Sequence, residues 1–363
     1  MNTLGGLFRW SIVGESHGRI VGVLVDGVPP GLPFGEADVQ PDLDRRRPGQ
    51  SLLTTQRRET DQVQILSGVH DGRTTGAPVL MTLANEDKES AAYERARDTP
   101  RPGHSDYPAR VRFKGFNDPR GGGMFSGRLT ACAVMAGALA RRVLEPSGIE
   151  AAAHAVRIGA VATDAALGVG EIRENVEKTP ARCAVPAVAE RMVAEVLAAR
   201  DDLDSVGGVV ECVVEGLPVG LGEPVADSVE GLLAHALFAV PAVKGVEFGD
   251  GFAISARRGS EVRDEYVVDK AGAVRTRANH NGGALGGLTT GMPLRFRVAF
   301  KPTSSIPREQ ATVDLATGEP ATLKVKGRHD PCIVPRAVPV VEAVARCVLA
   351  DLVLRRRASE GVA

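Results

Sequence analysis

Aromatic residues are scarce in this chain, with one Trp, three Tyr and ten Phe among 363 residues. A core must then come mainly from Ala, Val and Leu, and tight aliphatic packing is expected. Few aromatics also leave few platforms for stacking the bases of a single strand. Net charge is nearly absent too: 44 basic residues face 45 acidic ones, so no overall field draws the protein onto nucleic acid or an anionic membrane. Any anion site has to be local. No apolar stretch approaches the roughly 20 residues that span a bilayer, and Met1 to Trp10 lacks the apolar core of a signal peptide. The five cysteines, Cys132, Cys183, Cys212, Cys332 and Cys347, form no C-x-x-C pair, and their odd number leaves one over if disulfides formed. The expected setting is the reducing cytoplasm, with the thiols acting as small buried hydrophobes. Also missing are H-E-x-x-H, a zinc-type cysteine set, a P-loop, a G-x-S-x-G elbow and a G-x-G-x-x-G following a strand. Metal, acyl-enzyme and dinucleotide mechanisms have no anchor in the sequence.

The length allows one large domain or two subdomains without any external staple. Ile20 to Val25 is β-branched and ends at Asp26-Gly27, a strand running into a turn. The phrase returns later: aligning Gly27 with Gly216 also matches Val25 to Val214, Pro29 to Pro218, Gly31 to Gly220 and Leu32 to Leu221. This repeat points to an internally duplicated α+β fold, although a strand-turn-Pro-Gly phrase is also easily reached twice. Helical periodicity marks Arg128 to Leu144, Val185 to Ala199, Ser228 to Val240 and Pro339 to Leu354. Strand candidates lie at Gly208 to Val214 and at Leu294 to Phe300, where Arg295 and Arg297 alternate with Leu294, Phe296, Val298 and Phe300. Pro41 to Asp61 and Asn85 to Arg120 lack apolar periodicity and read as long loops, which in a compact enzyme are more often functional than idle.

Those loops hold the chemistry. Arg45, Arg46, Arg47, Arg57 and Arg58 are followed by Arg101, Arg110, Arg112, Arg120 and Arg128. In a nearly neutral protein this density fits a small polyanion, because guanidinium binds phosphate and carboxylate oxygens two at a time. The interleaved Asp42, Asp44, Glu59 and Asp61 fit a salt-bridged surface equally well. Arg120-Gly-Gly-Gly123 runs into a helix at Ser126, where exposed amides favour anions; it is also simply a flexible connection. His17 in Gly14-Glu-Ser-His-Gly18 and His104 in Arg101-Pro-Gly-His-Ser-Asp106 stand in glycine-rich settings, able to move a proton near neutral pH. Lys301-Pro-Thr-Ser-Ser305 sets a cation and hydroxyls at a strand end, and Gly327-Arg-His-Asp-Pro331 sets Arg328, His329 and Asp330 before a Pro-rich helix start. On residues alone, the chain reads as an enzyme acting on a small polyanion.

As a set, these motifs resemble the chorismate synthase family. The matching phrases are Gly14 to Gly18, Asp42-Leu-Asp-Arg-Arg-Arg-Pro-Gly49, Thr55-Gln-Arg-Arg-Glu59, Arg101 to His104, Arg120 to Gly123, Val243-Lys-Gly-Val-Glu247, Lys301 to Ser305 and Arg328-His-Asp-Pro-Cys332, in family order along essentially the whole chain. The resemblance implies a β-α-β sandwich with internal duplication, a single domain over residues 1–363 built of two related α+β halves, and a homotetramer. It implies anti-1,4-elimination of phosphate from 5-enolpyruvylshikimate 3-phosphate, requiring reduced FMN without net redox change. NADPH enters only as a source of reducing equivalents, with or without a separate flavin reductase.

By motif, His17 would be the acid toward the reduced flavin, and His104 would protonate the departing phosphate. Asp330, assisted by Ser16, would keep the flavin N5 ready for the substrate proton. Arg46, Arg101, Arg128 and Arg336 would clamp the substrate. FMN would contact Met124, Phe125, Ser126, Ala242, Gly291, Lys301, Pro302, Thr303, Ser304, Ser305 and Arg328. No metal is implied. The chain departs from many bacterial members at Met124-Phe125, where they carry Arg-Ser, at Leu52, where they carry Arg, and at Pro241, where they carry Asn; backbone contacts to FMN are compatible with these changes.

Overall fold

The computed structural model describes residues 2–50, 53–54, 60–86, 97–325 and 330–360. The first half contributes strands β1 (Thr3–Leu4), β2 (Arg9–Gly14) and β3 (Ile20–Asp26), helix α1 (Glu36–Arg46), then β4 (Gln64–Ser67) and β5 (Val79–Ala84). After the short helix α2 (Asp106–Arg112), the long helix α3 (Thr130–Leu144) closes this half. The second half repeats the plan with β6 (Glu150–Ile158), β7 (Val161–Ala162), helix α4 (Pro186–Asp201), β8 (Gly208–Glu215), α5 (Val229–Phe238), β9 (Val243–Phe248), β10 (Leu294–Phe300) and α6 (Val334–Ser359).

Each half forms an antiparallel five-stranded sheet, ordered β1-β2-β3-β5-β4 in one and β9-β10-β8-β6-β7 in the other. Leaving out the short strands β1 and β7, both sheets run first-second-fourth-third in chain order. The repeated phrase sits at the same place in each. Gly27 and Gly216 follow the second strand with φ of +80° and +79°. A Cβ there would fall 1.8 Å from the Leu7 carbonyl oxygen or 2.0 Å from that of Gly148, so only glycine makes this turn. The turn is then pinned by a threonine in both halves. Thr74 Oγ1 donates to the Pro29 carbonyl at 2.7 Å and accepts from Leu32 N at 3.0 Å. Thr289 Oγ1 does the same with Pro218 at 2.5 Å and Leu221 N at 2.9 Å. Matching hydrogen bonds at matching positions make the duplication structural.

The helices fill the space between the sheets. α3 packs on the first sheet, α5 and α6 belong with the second, α3 lies along α6, and α1 packs against both α3 and α6. α3 is Ala, Val, Leu, Cys and Met on all sides, and from Ala131 to Ala140 every residue is buried. A helix apolar all round has its place in the middle. The five cysteines are buried and unpaired. Apart from the last helix, the strand and helix expectations named above lie close to the observed elements, and the alternation in β10 is the observed burial pattern, residue by residue.

Three expectations need correction. Asn85 to Arg120, expected as a loop, contains α2, in which Ala109 is the buried residue, too little for an apolar period. Pro41 to Asp61 was read as a loop, yet α1 runs through Pro41 to Arg46. Its inward face is Val39, Asp42, Leu43 and Arg46, half of it charged, so apolar periodicity hides it. The last helix starts at Val334 instead of Pro339. Proline lacks an amide hydrogen, so Pro339 leaves the Pro335 carbonyl without its helical donor. Arg182 Nη1 supplies one at 2.8 Å.

Where α3 meets α6, a Cβ on Gly137 would lie 2.4 Å from Ala343 Cβ and 2.5 Å from its Cα. Gly137→Ala would gain about 1 kcal/mol of helix propensity but force backbones apart, at a cost of roughly 1–3 kcal/mol. Overpacking is expected to win, lowering the midpoint of urea unfolding. A raised midpoint would show that the two helices are free to separate.

Candidate active site

Helix ends make the site. A cavity of about 700 Å³ is lined by Arg128 and Thr130 at the start of α3, and by Asp330, Ile333 and Arg336 at the start of α6. Arg46 at the end of α1 and Phe238 to Val243 at the end of α5 complete the ring with His104 and Lys301 to Ser305. Equivalent ends of the duplicated halves thus meet at one place. Two helix N-termini and several cations there favour an anion.

The triple glycine threads between the histidines. Gly121, Gly122 and Gly123 all have positive φ, at 60°, 84° and 52°. A Cβ on Gly121 would be 2.3 Å from His17 Cδ2 and 2.8 Å from Ser16 Oγ, and one on Gly122 would be 3.4 Å from His104 Cε1. The glycines therefore form a thin left-handed wall, one turn ahead of the helix, and Ser126 is the residue that caps, accepting from Arg128 N. His17 is buried behind Gly121, while Ser16 lines the cavity. His104 Nδ1 lies 2.6 Å from Asp106 Oδ1. Asp106 also takes Nε and Nη2 of Arg101, each at 2.8 Å. Burial would raise the Asp106 pKa, but Arg101 and His104 outweigh it and hold the carboxyl well below its ordinary range. An ionised Asp106 fixes the imidazole and leaves its other nitrogen for a ligand.

The four expected clamp arginines all line this cavity, but differently. Arg101 is committed to Asp106 and to Ser305, at 3.2 Å. Arg128 gives Nε to Asn85 at 3.0 Å, Nη2 to the Ala84 carbonyl at 3.2 Å, and Nη1 to Asp61. Arg336 reaches Asp330 at 2.6 Å and the Arg46 carbonyl at 3.1 Å. Arg46 is 1% exposed, and its Nε and Nη1 have no hydrogen-bond partner. Burial pulls the Arg46 pKa down, against the pull of Asp61. An arginine stays charged at any ordinary pH, so Arg46 is a buried cation with Asp61 as a loose partner at 3.6 Å. Elsewhere the salt-bridged reading holds: Arg45 pairs with Glu177 and Glu342, Arg110 with Asp98, and Arg120 with Asp118.

Sequence reasoning missed four residues that hold this site. Asp106 stood inside a quoted motif and Asp61 among the interleaved acids, so both carried a signal. Asn85 links Arg128 to the histidine turn, giving its Nδ2 to the carbonyls of Glu15 and Gly18 at 3.0 and 3.1 Å. Arg182, from the segment before α4, braces α6, and neither residue has a local sequence signal.

Of the residues expected to contact a flavin, Met124, Phe125, Ser126, Ala242 and Lys301 to Ser305 line the cavity. Ala242 takes φ +72° and gives its carbonyl to Lys301 N at 3.0 Å. Lys301 Nζ donates to the Gly103 carbonyl, and burial with neighbouring Lys244 lowers its pKa. Gly291 is not brought in. It sits against Val219 and Arg275, separated from Lys301 by the whole of β10, a strand of roughly 20 Å. Arg328 and Leu52, with Arg57 and Arg58, lie outside the described residues.

Fold and cavity together define an enzyme site for a small polyanion, with a histidine–aspartate pair beside it. Comparison with known proteins narrows the class. A family model, Chorismate synthase, matches residues 8–354. The chain is 49% identical to the chorismate synthase of Methanosarcina mazei over 354 residues, 98% of this chain and 96% of that one. It is 50% identical to that of Thermococcus kodakarensis over 358 residues, 99% of each. A crystal structure of chorismate synthase matches with TM-score 0.75 at 27% identity, over 97% of this chain and 93% of the other. The chain belongs to the chorismate synthase family, and it is a lyase.

Asp106→Asn keeps the shape but removes the charge that holds His104. Turnover is expected to fall about tenfold or more, a fraction of the 10²–10⁴ that a positioned acid supplies, with the thermal midpoint little changed. Wild-type turnover in the folded variant would show that His104 does not depend on this carboxylate.

Proposed function

We propose that this chain performs anti-1,4-elimination of phosphate from 5-enolpyruvylshikimate 3-phosphate, giving chorismate. The observation that carries the reading is Arg46: a buried guanidinium lining the cavity with two N–H-bearing nitrogens lacking acceptors, beside Arg101, Arg128 and Arg336. A phosphate near −2 with two carboxylates needs several cations if it is to leave water at all.

The residues also fit a flavin. Ser16 Oγ is buried without a partner at the cavity wall, and the glycine wall leaves room that any Cβ would fill. Met124, Phe125, Ser126, Ala242 and Lys301 to Ser305 would hold it, with Phe125 supplying surface and the Lys301 segment polar groups. A reduced flavin held there would supply transient electron density to the substrate without net redox change.

The chain's own residues position and move protons. His104, oriented by Asp106, gives a proton to the departing phosphate oxygen. Asp330, ion-paired with Arg336, works with Ser16 to keep the position that receives the C6 hydrogen unprotonated. His17, packed behind Gly121, supplies a proton or balances charge on the cofactor side. Arg46, Arg101, Arg128 and Arg336 bind and orient the anion. The reading extends to a single domain of two duplicated halves and a homotetramer in the cytoplasm. Exposed Val13, Ile20 and Leu24 on the first sheet support contact between copies, and among the described residues no helix is long and apolar enough to cross a membrane. NADPH serves only to reduce the flavin, directly or through a separate reductase; aerobic activity with NADPH and FMN alone separates these routes.

Under anaerobic conditions with reduced FMN, the purified protein is expected to release phosphate and form chorismate. FMN binding without turnover would sink the proposal. His17→Ala and His104→Ala should each cut turnover at least tenfold while the protein stays folded; near wild-type rates in both would remove the acid roles. Arg46→Ala should raise KM by at least an order of magnitude, consistent with losing a charged hydrogen bond worth about 1.5–3 kcal/mol. An unchanged KM would count against the clamp.

A further inference from the structure

Asp61 lies just before β4, outside the motifs that mark the family, and is 2% exposed. Its φ is +49°, a left-handed conformation that a non-glycine residue adopts at a cost. α1 holds it there. Gln40 Nε2 donates to the Asp61 carbonyl at 3.1 Å, while Gln40 Oε1 accepts from Val63 N at 3.2 Å. So clamped, the carboxylate stands between two cavity arginines. Oδ1 accepts from Arg128 Nη1. Oδ2 is 3.6 Å from Arg46 Nη1 and has no hydrogen-bond partner.

Among the described residues, the charges that act on Arg46 are Asp61 and Asp330 on one side and Arg128 and Arg336 on the other. Asp330 is paired with Arg336 at 2.6 Å. Asp61 therefore faces two guanidinium groups, both buried. If it bound one of them fully, the other would be a buried cation without compensation, which is strongly unfavourable. A further carboxylate between Arg46 and Arg128 would cancel the positive charge that can hold an anion there. The observed geometry is between these: one full hydrogen bond, one loose ion pair, and orphan atoms on both sides of the loose one.

We propose that Asp61 is a positioning residue, the shared counter-ion that keeps Arg46 and Arg128 in place at the cavity and leaves one positive charge for the incoming anion. The identity of that anion rests on the elimination reading above. The counter-ion role itself requires only phosphate or carboxylate chemistry. A plain structural salt bridge tying β4 to α1 would predict stability loss on mutation but no change in the response to anions.

The test compares thermal melting of the wild type, Asp61→Asn and Asp61→Asn with Arg128→Gln, with and without inorganic phosphate at constant ionic strength set by chloride. Asp61→Asn should melt lower than wild type without phosphate, and phosphate should raise its Tm at least twice as much as it raises the wild type. The double variant restores the local charge count, and its phosphate increment should return to the wild-type value. Equal increments in wild type and Asp61→Asn overturn the proposal. Should Asp61→Asn not fold alone, the double variant must fold, and its failure to do so also overturns it. A wild type indifferent to phosphate removes the anion-cavity reading and this role with it. Phosphate increments as expected without any chorismate formation would sink the elimination reading and leave the counter-ion standing.

Discussion

The contact between α3 and α6 at Gly137 and Ala343 is the constraint from which the site follows. Backbones this close admit no Cβ at Gly137, and the small side chains around it are what the scarcity of aromatics requires. Because the two helices close equivalent halves of a duplicated fold, packing them together brings their N-termini to one cavity. The catalytic candidates are then supplied by segments just before or within the first turns: Arg128 ahead of α3, and Asp330 and Arg336 around the start of α6. Duplication thus builds an anion site without any long cationic motif.

Burying cations is expensive, and much of the polar structure around the cavity meets that cost. Asp106 secures Arg101 and His104 together. Asn85 joins Arg128 to the turn that carries Ser16 and His17. On the far side of α1, Arg45 meets Glu177 and Glu342, and Arg182 joins Glu177 at 3.0 Å to the Pro335 carbonyl. The ends of α1 and α6 that present Arg46 and Arg336 are therefore braced from behind by ion pairs and from the front by Asp61 and Asp330. Arg46 is the member of this set whose hydrogen-bonding capacity is left open, and in that respect it differs from Arg101 and Arg128.

Strands β3, β8 and β10 and four of the long helices were legible because hydrophobic period is a local property. β10 alternates in sequence as it alternates in burial, and α3 is apolar throughout because it is central. The turn repeated at Gly27 and Gly216 could be read as well, since its φ requirement is confined to a few residues. α1 was hidden for a related reason: Asp42 and Arg46 occupy buried positions where a periodicity search expects apolar side chains. They are buried because Arg346 and Asp61 meet them from other elements.

By itself, then, the sequence determined three of the strands, most of the long helices, the repeated turn and many of the residues now found around the cavity, including His104, Asp330 and the arginines. Tertiary structure alone decided which carboxylate faces which arginine, that Gly121 stands between His17 and the cavity, that Gly291 lies at the other end of β10, and that Arg182 supplies the donor Pro339 lacks. The physical reason is range. Periodicity and turn chemistry are settled within a few residues, whereas a buried charge is settled by whatever partner the packed fold brings within hydrogen-bond reach.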